Sequence, residues 1–408
     1  MKKFLFFALI TIFSLSAQAI YAAPKPVVAR TLTPMFTLAE NEKPVGFIVS
    51  GKTILFFGTS VGANTTDGFI KAVDETGISK WESTLDSGVD EIATVAIKNS
   101  AGDTWIVGSS AKPLITETAT ALPTITALNP DSVTAEAQIP LRNDLTQVIA
   151  WKVSSSGQLL QTLTYDMGSP VVVRAAISTD FGIAVVGTYV TDQGNAGFVL
   201  QSSLNGFLSK PLSIGKTNTE LNAFSRNPDN SLIVFGSSTE TISGKKLMGL
   251  RDGIIANVSA TGKLGNVVRS SNSKSIRSWQ SSTPSLLLGG EAILDGKTEA
   301  VITKFAPNLI PIWTTRFASQ TSAMTWDASP NSHLMAFIST SPIAQVAGWK
   351  PKKPTTLILN FDGKGSLIGA YGAPSVVMPI AVGFSRDLGV LLLGVSAKGV
   401  SIFHSLPR

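Results

Sequence analysis

Residues 54–60 read Ile54-Leu55-Phe56-Phe57-Gly58-Thr59-Ser60, a short apolar run closed by glycine and two small hydroxyl residues. The same phrase returns as Trp105-Ile106-Val107-Gly108-Ser109-Ser110, Ala184-Val185-Val186-Gly187-Thr188, Leu232-Ile233-Val234-Phe235-Gly236-Ser237-Ser238 and Leu286-Leu287-Leu288-Gly289. Two later copies are Leu334-Met335-Ala336-Phe337-Ile338-Ser339, with Ile338 in the glycine position, and Leu391-Leu392-Leu393-Gly394-Val395-Ser396. From Gly58 onward the spacings are 50, 79, 49, 53, 49 and 56 residues. One unit of about fifty residues therefore recurs seven times, and the second copy carries an insertion of ~30 residues.

In the first copy, strand-length runs at 44–50, 53–60, 68–74 and 78–85 are separated by Gly51-Lys52, Asp67 and Thr76-Gly77, residues that favour turns. A four-stranded unit of this size cannot bury both of its faces alone, so stacked copies predict an all-β, seven-bladed β-propeller. A β-solenoid or two β-sandwiches would also accept strands at regular spacing. The last copy favours the propeller, because only 379–385, 389–396 and 399–404 are strand-like before the sequence ends. Residues 26–33 form an orphan β-like run and are expected to be the outermost strand of that last blade, closing the ring and covering a sheet edge.

The chain has 408 residues, no cysteine, 44% apolar and 15% charged residues. Disulfides, cysteine-ligated zinc and thiol catalysis are excluded, and the apolar fraction argues against disorder. Lys2 and Lys3, the apolar run 4–13, and Ala17 and Ala19 form a secretory signal peptide over residues 1–19, with cleavage after Ala19 and no later than residue 23. The run is too short to span a bilayer. Residues 24–408 are expected to be one propeller domain with an insertion loop at 111–143. The expected location is secreted, periplasmic or cell-surface, the expected state a monomer, and no membrane span remains after cleavage. A net charge of +6 without a Lys/Arg cluster on one element gives no nucleic-acid signature.

The stretch Lys71-Ala72-Val73-Asp74-Glu75-Thr76-Gly77-Ile78-Ser79-Lys80-Trp81, followed by Gly88-Val89-Asp90, Gly102 and Gly108, resembles the repeat of bacterial secreted seven-bladed β-propeller proteins. In that family a Lys-x-x-Asp-x-x-Gly turn leads to an outer strand bearing Trp. The fifth copy keeps Lys304, Asn308 and Trp313, and the fourth keeps Ala260-Thr261-Gly262-Lys263. The resemblance is strong in the first copy and implies fold and export. The family has no single activity, so no catalytic residue is carried over. Ala72, Asp74, Gly77 and Trp81 also approximate, once, the docking motif of quinoprotein propellers; the other copies lose it, and no quinone cofactor is expected.

Gly46-Phe47-Ile48-Val49-Ser50-Gly51-Lys52-Thr53 matches the phosphate-loop pattern, but it lies between two apolar runs with no following helix and reads as a hairpin turn. Ser178-Thr179-Asp180-Phe181-Gly182 and Ser385-Arg386-Asp387-Leu388-Gly389 resemble the Asp-box of sialidase-like propellers but suit self-bonded turns. His333, placed in a turn, and His404 fit neither a metal nor a triad pattern. Trp105, Trp151 and Trp279 are expected in the core. The innermost strands at 171–178, 221–226, 276–280, 324–328 and 379–385 carry few acids, which disfavours catalysis, so no catalytic, cofactor or metal residue is assigned.

The long loops, 111–143, 237–251 and 339–356, all join second to third strands and therefore open on one face, as binding insertions do. Lys245, Lys246 and Arg251 lie in one, and Trp349, Lys350, Lys352 and Lys353 in another. A Trp beside lysines suits stacking on a sugar ring together with attraction to anionic groups. These seven residues are the candidate ligand-binding set. The expected function is an exported, non-enzymatic binding module for an envelope or extracellular polysaccharide or protein. A channel-mouth glycosidase, lyase or lactonase is the first alternative, and an envelope-assembly scaffold the second.

Overall fold

The computed structural model describes residues 25–62, 65–113, 142–180, 182–203 and 206–405. The expected signal peptide and most of the 111–143 insertion lie outside them. Every regular element among the described residues is a β-strand, and the chain is a β-propeller.

Five sheets are built from four consecutive strands each, bonded in chain order. The first holds Glu42–Ser50, Thr53–Val61, Thr66–Val73 and Ser79–Leu85, and the second Glu91–Lys98, Thr104–Ser110, Gln147–Val153 and Leu159–Asp166. The third holds Val171–Thr179, Gly182–Thr191, Gly194–Gln201 and Leu212–Ile214, and the fourth Thr219–Arg226, Leu232–Ser238, Asp252–Val258 and Leu264–Ser270. The fifth holds Ile276–Ser282, Leu287–Leu294, Lys297–Phe305 and Pro311–Ala318. One further four-stranded sheet, here the terminal sheet, joins Thr33–Thr37 to Gly399–His404, Gly389–Ser396 and Val376–Ser385.

The propeller therefore has six four-stranded blades, which corrects the expected seven. The sixth sequence copy, Met324–Ser329, Ser332–Ser339, Thr355–Phe361 and Leu367–Ala373, belongs to a six-stranded sheet instead. Its two extra strands are Val27–Thr31, which pairs parallel to Leu367–Ala373, and Val346–Ala347, which pairs with Val27–Val28. The expected placement of residues 26–33 in the last blade is corrected with it. That run widens the neighbouring sheet, and only the following segment, Thr33–Thr37, reaches the C-terminal strands. Leu32, buried between the two segments, marks the crossing.

The recurring glycine has a mechanical origin at Gly58, Gly108, Gly187, Gly236 and, less tightly, Gly394; in the fifth sheet the residue in that place is Gly290, one position after the expected Gly289. In six sheets the first and second strands lose register, by one residue in five of them, for instance between Ala93 and Val95 or between Leu221 and Ala223, and twice in the terminal sheet. The bulge pushes a first-strand carbonyl toward the second strand. A Cβ at Gly108 would lie 1.8 Å from the Ile92 oxygen, and one at Gly236 would lie 1.8 Å from the Glu220 oxygen. The sixth copy shifts register at the far end, between Asp327 and Ser329, so its second strand tolerates Ile338.

Second strands such as Thr104–Ser110 and Leu232–Ser238 are buried at every position, whereas outer strands such as Pro311–Ala318 alternate. This explains unbroken apolar runs in the former and period-two patterns in the latter. Trp105, Trp151 and Trp279 are core residues, as expected. Outer-strand aromatics lock neighbouring sheets: a Cβ on Gly157 would strike the Trp81 ring, and one on Gly365 the Trp313 ring. Each glycine sits at positive φ in the turn before its own outer strand.

Gly236→Ala is expected to cost about 3 kcal/mol or more, because the obstructing atom is backbone and cannot rotate away. Gly262→Ala, at positive φ but in open space, should cost only about 1–2 kcal/mol. Urea denaturation of both variants checks this, and equal losses would contradict the bulge explanation.

Candidate functional site

The 239–251 connection leaves the fourth sheet as a built structure. Ser243 and Gly244 both have positive φ, at 46° and 74°. They form a two-residue turn in which Ile242 and Lys245 exchange backbone hydrogen bonds. Ile242 is buried beneath it.

Arg269, on the outer strand of the fourth sheet, braces the connection from below. Its Nε donates to Asp252 Oδ2 at 2.7 Å, Nη1 to the Glu240 and Lys245 carbonyls at 2.8 and 3.2 Å, and Nη2 to the Ser238 carbonyl at 3.1 Å. Asp252 also accepts the Met248 and Gly249 amides, both at 2.9 Å. Burial by itself would raise the Asp252 carboxyl. The nearby Ser271 hydroxyl, the bond from Arg269 and the two amides outweigh it and hold the pKa below the usual carboxylate value. Glu240 is anchored in the same way, accepting the amides of Lys216, Thr217 and Asn218 and the Thr219 hydroxyl.

Lys245 and Lys246 stand exposed on this rigid base, next to Met248 (70% exposed) and Leu250 (61%). Arg251 turns inward, donating to Asn218 Oδ1 at 3.1 Å and lying 3.6 Å from Glu220. The structure thus brings together three of the expected binding residues and gives Arg251 a bracing role within the group.

The second expected group sits on the six-stranded sheet. Lys350, Lys352 and Lys353 are exposed. Trp349 is not the open platform that its basic neighbours suggested. It packs against the core of that sheet with its ring over Gly372, and its indole N–H donates to Ser339 Oγ at 3.1 Å.

The first and second sheets carry the opposite charge on the face of the second-to-third connections. Asp67, Asp86 and Glu91 converge, with one oxygen of each within 4.8 Å of the others. Glu91 is fully buried, and burial, then the charges of Asp86 and Asp67, push its pKa up to about 7 against the pull of its Ser87 bonds. Beside them Arg142 bridges Asp90 and Asp144, at 2.7 and 2.8 Å. The group lies between two sheets, away from the central cavity.

That cavity, about 740 Å³, opens where first strands turn into second strands. It is lined by the bulged residues Arg174, Asn222 and Gln280 and by hydroxyl groups. Its one carboxylate, Asp180, is paired with Arg226 at 2.7 Å. His333 is not in a turn, as expected, but on the strand Ser332–Ser339, buried and bonded through Nδ1 to Asp327 Oδ1 at 2.7 Å. Gly51-Lys52 is a hairpin turn, as expected.

Sequence reasoning missed Arg269, Asp252 and a third group, Arg277 stacked over Trp279 at 4.1 Å. The Arg277-x-Trp279 spacing was the available signal, since residues two apart in a strand share a face.

No family model and no curated protein matches the chain. Solved structures resemble its fold at low similarity. Sqt1 from Chaetomium thermophilum is 11% identical over 92% of this chain and 100% of its own, with a TM-score of 0.45. BBS1N, solved in complex with ARL6DN, is 11% identical over 93% and 98%, also at 0.45. The polysaccharide lyase Uly1 is 9% identical over 96% and 94%, again at 0.45. Sqt1 has also been solved bound to the N-terminus of ribosomal protein L10. At these identities the likeness selects no function. Among the described residues no helix is long and apolar enough to cross a membrane.

Two outcomes follow for the loops. Trp349→Ala should lower stability by about 2 kcal/mol or more, whereas Lys350→Ala should stay within about 0.5 kcal/mol of the native chain; chemical denaturation separates them. Asp252 contributes stability that is present above its unfolded pKa of about 4 and is lost as pH falls through its depressed folded value. By calorimetry, the native chain should lose melting temperature below about pH 4 more steeply than Asp252→Asn, and parallel curves would contradict the anchor.

Proposed function

We propose that the chain is an exported binding module which presents the 239–251 connection to a protein partner bearing an apolar patch with an acidic rim. The observation that carries this reading is the rigid loop itself: two unpaired lysines beside exposed Met248 and Leu250, on a base held by Arg269. A preformed loop loses little conformational entropy on association. Lysines at its rim speed encounter with an acidic surface and select against basic ones. A protein partner is favoured over a polysaccharide because Trp349, the aromatic platform expected beside the loop lysines, is engaged in packing. A binding role is favoured over catalysis by the lining of the central cavity, whose one carboxylate, Asp180, is held in an ion pair with Arg226.

The test places a photo-crosslinking residue at Met248 of the full chain in extracytoplasmic extract. One crosslinked species should form, fade with added salt and disappear in Lys245→Glu/Lys246→Glu. Crosslinking indifferent to both salt and charge reversal would overturn the reading. Export is checked by fractionation and N-terminal sequencing: a product beginning after Ala19 outside the cytoplasm is expected, and an intact cytoplasmic chain would refute it.

A further inference from the structure

Between the fourth and fifth sheets lies a cleft of about 250 Å³. Arg277 lies within it, 6% exposed, its guanidinium laid on the ring of Trp279. No side-chain hydrogen bond or ion pair links that guanidinium to any described residue, and Nη1 is sealed from solvent without an acceptor. The buried indole N–H of Trp279 also lacks an acceptor.

The surroundings explain why nothing within the protein neutralises Arg277. Arg269 is engaged by Asp252 at 2.7 Å, and Glu299 faces Arg316 at 3.7 Å. Three arginines meet two carboxylates, which leaves one positive charge in excess. Burial first, and then repulsion from Arg316, pull the Arg277 pKa down to about 9, with Glu299 opposing; the group stays cationic at neutral pH. A buried charge without a partner is strongly destabilising, and the unpaired Arg277 Nη1 and Trp279 indole N–H, with only the Ser271 hydroxyl also buried and unpaired in the cleft wall, call for an acceptor-bearing anion. The rest of the wall supplies hydroxyl groups, among them Ser270, Thr303 and Thr314.

We propose that this cleft binds one small polyhydroxylated monocarboxylate of the sugar-acid class, its carboxylate on Arg277 and its hydroxyl groups on the surrounding serines and threonines. A planar guanidinium matches a carboxylate with two parallel hydrogen bonds, and stacking on Trp279 fixes its plane. The inference goes beyond partner binding and does not depend on it, so Lys245→Glu/Lys246→Glu should leave this site unchanged.

Calorimetric titration of the full chain with sodium glucuronate, at ionic strength held constant with sodium chloride, tests the proposal. Saturable binding is expected, with a melting temperature raised by a few degrees at about a hundredfold excess over Kd. Neutral glucose should give no response. Arg277→Met removes the buried charge while keeping an unbranched side chain, and should abolish the response. Arg316→Gln, at a half-exposed position where folding is insensitive, should weaken it severalfold. The proposal is overturned if the native chain shows no saturable binding, if glucose matches glucuronate, or if both variants bind as the native chain does.

Discussion

The architecture depends on one close approach: the bulged first strand of a sheet turns a backbone carbonyl onto the glycine of the second strand. A bulge bends its strand and increases the local twist. It also frees one residue per sheet from the ladder, and three of these residues, Arg174, Asn222 and Gln280, line the central cavity. The device that shapes the sheet thereby sets the chemistry of the cavity. The side chains placed there are one cation and two amides.

Polar chemistry is instead concentrated between sheets and on the face of the long connections. Arg269 links these two regions. It holds the 239–251 connection through three carbonyls and Asp252, and it forms part of the wall beside Arg277. The carboxylate that acts on Arg277 is Glu299, and it also faces Arg316 at 3.7 Å.

Much of this order was legible in the sequence because second strands are buried on both faces and so are written as unbroken apolar runs ending in the bulge glycine. Other features depend on pairings that no local pattern records. Residues 27–31 add to the sheet of the sixth copy through a parallel contact with 346–347, and a two-residue strand has no periodicity to read. Trp349 was placed outside by its neighbours Lys350, Pro351 and Lys352, yet its seat is Gly372, over twenty residues away and on a different strand. Arg277 lies in an innermost strand read only for acids, so a cation there went unnoticed.

Charge distribution gives the loops their directional character. The chain carries a net charge of +6, and among the described residues Lys245, Lys246, Lys350, Lys352 and Lys353 make no ion pair. Other basic groups, such as Lys71, Lys112, Lys152 and Arg142, are matched by carboxylates. Unmatched lysines occur elsewhere too, among them Lys98, Lys210 and Lys297, but these two connections gather several within a few residues, while Asp67, Asp86 and Glu91 converge between the first and second sheets. Such polarity orients an approaching charged surface before contact, and salt weakens it over about 10 Å. Arg277 escapes that screening, since burial removes the ions that would shield it. The exposed lysines and the buried arginine are the same kind of charge put to different uses, the first acting at a distance and the second only on what enters the cleft.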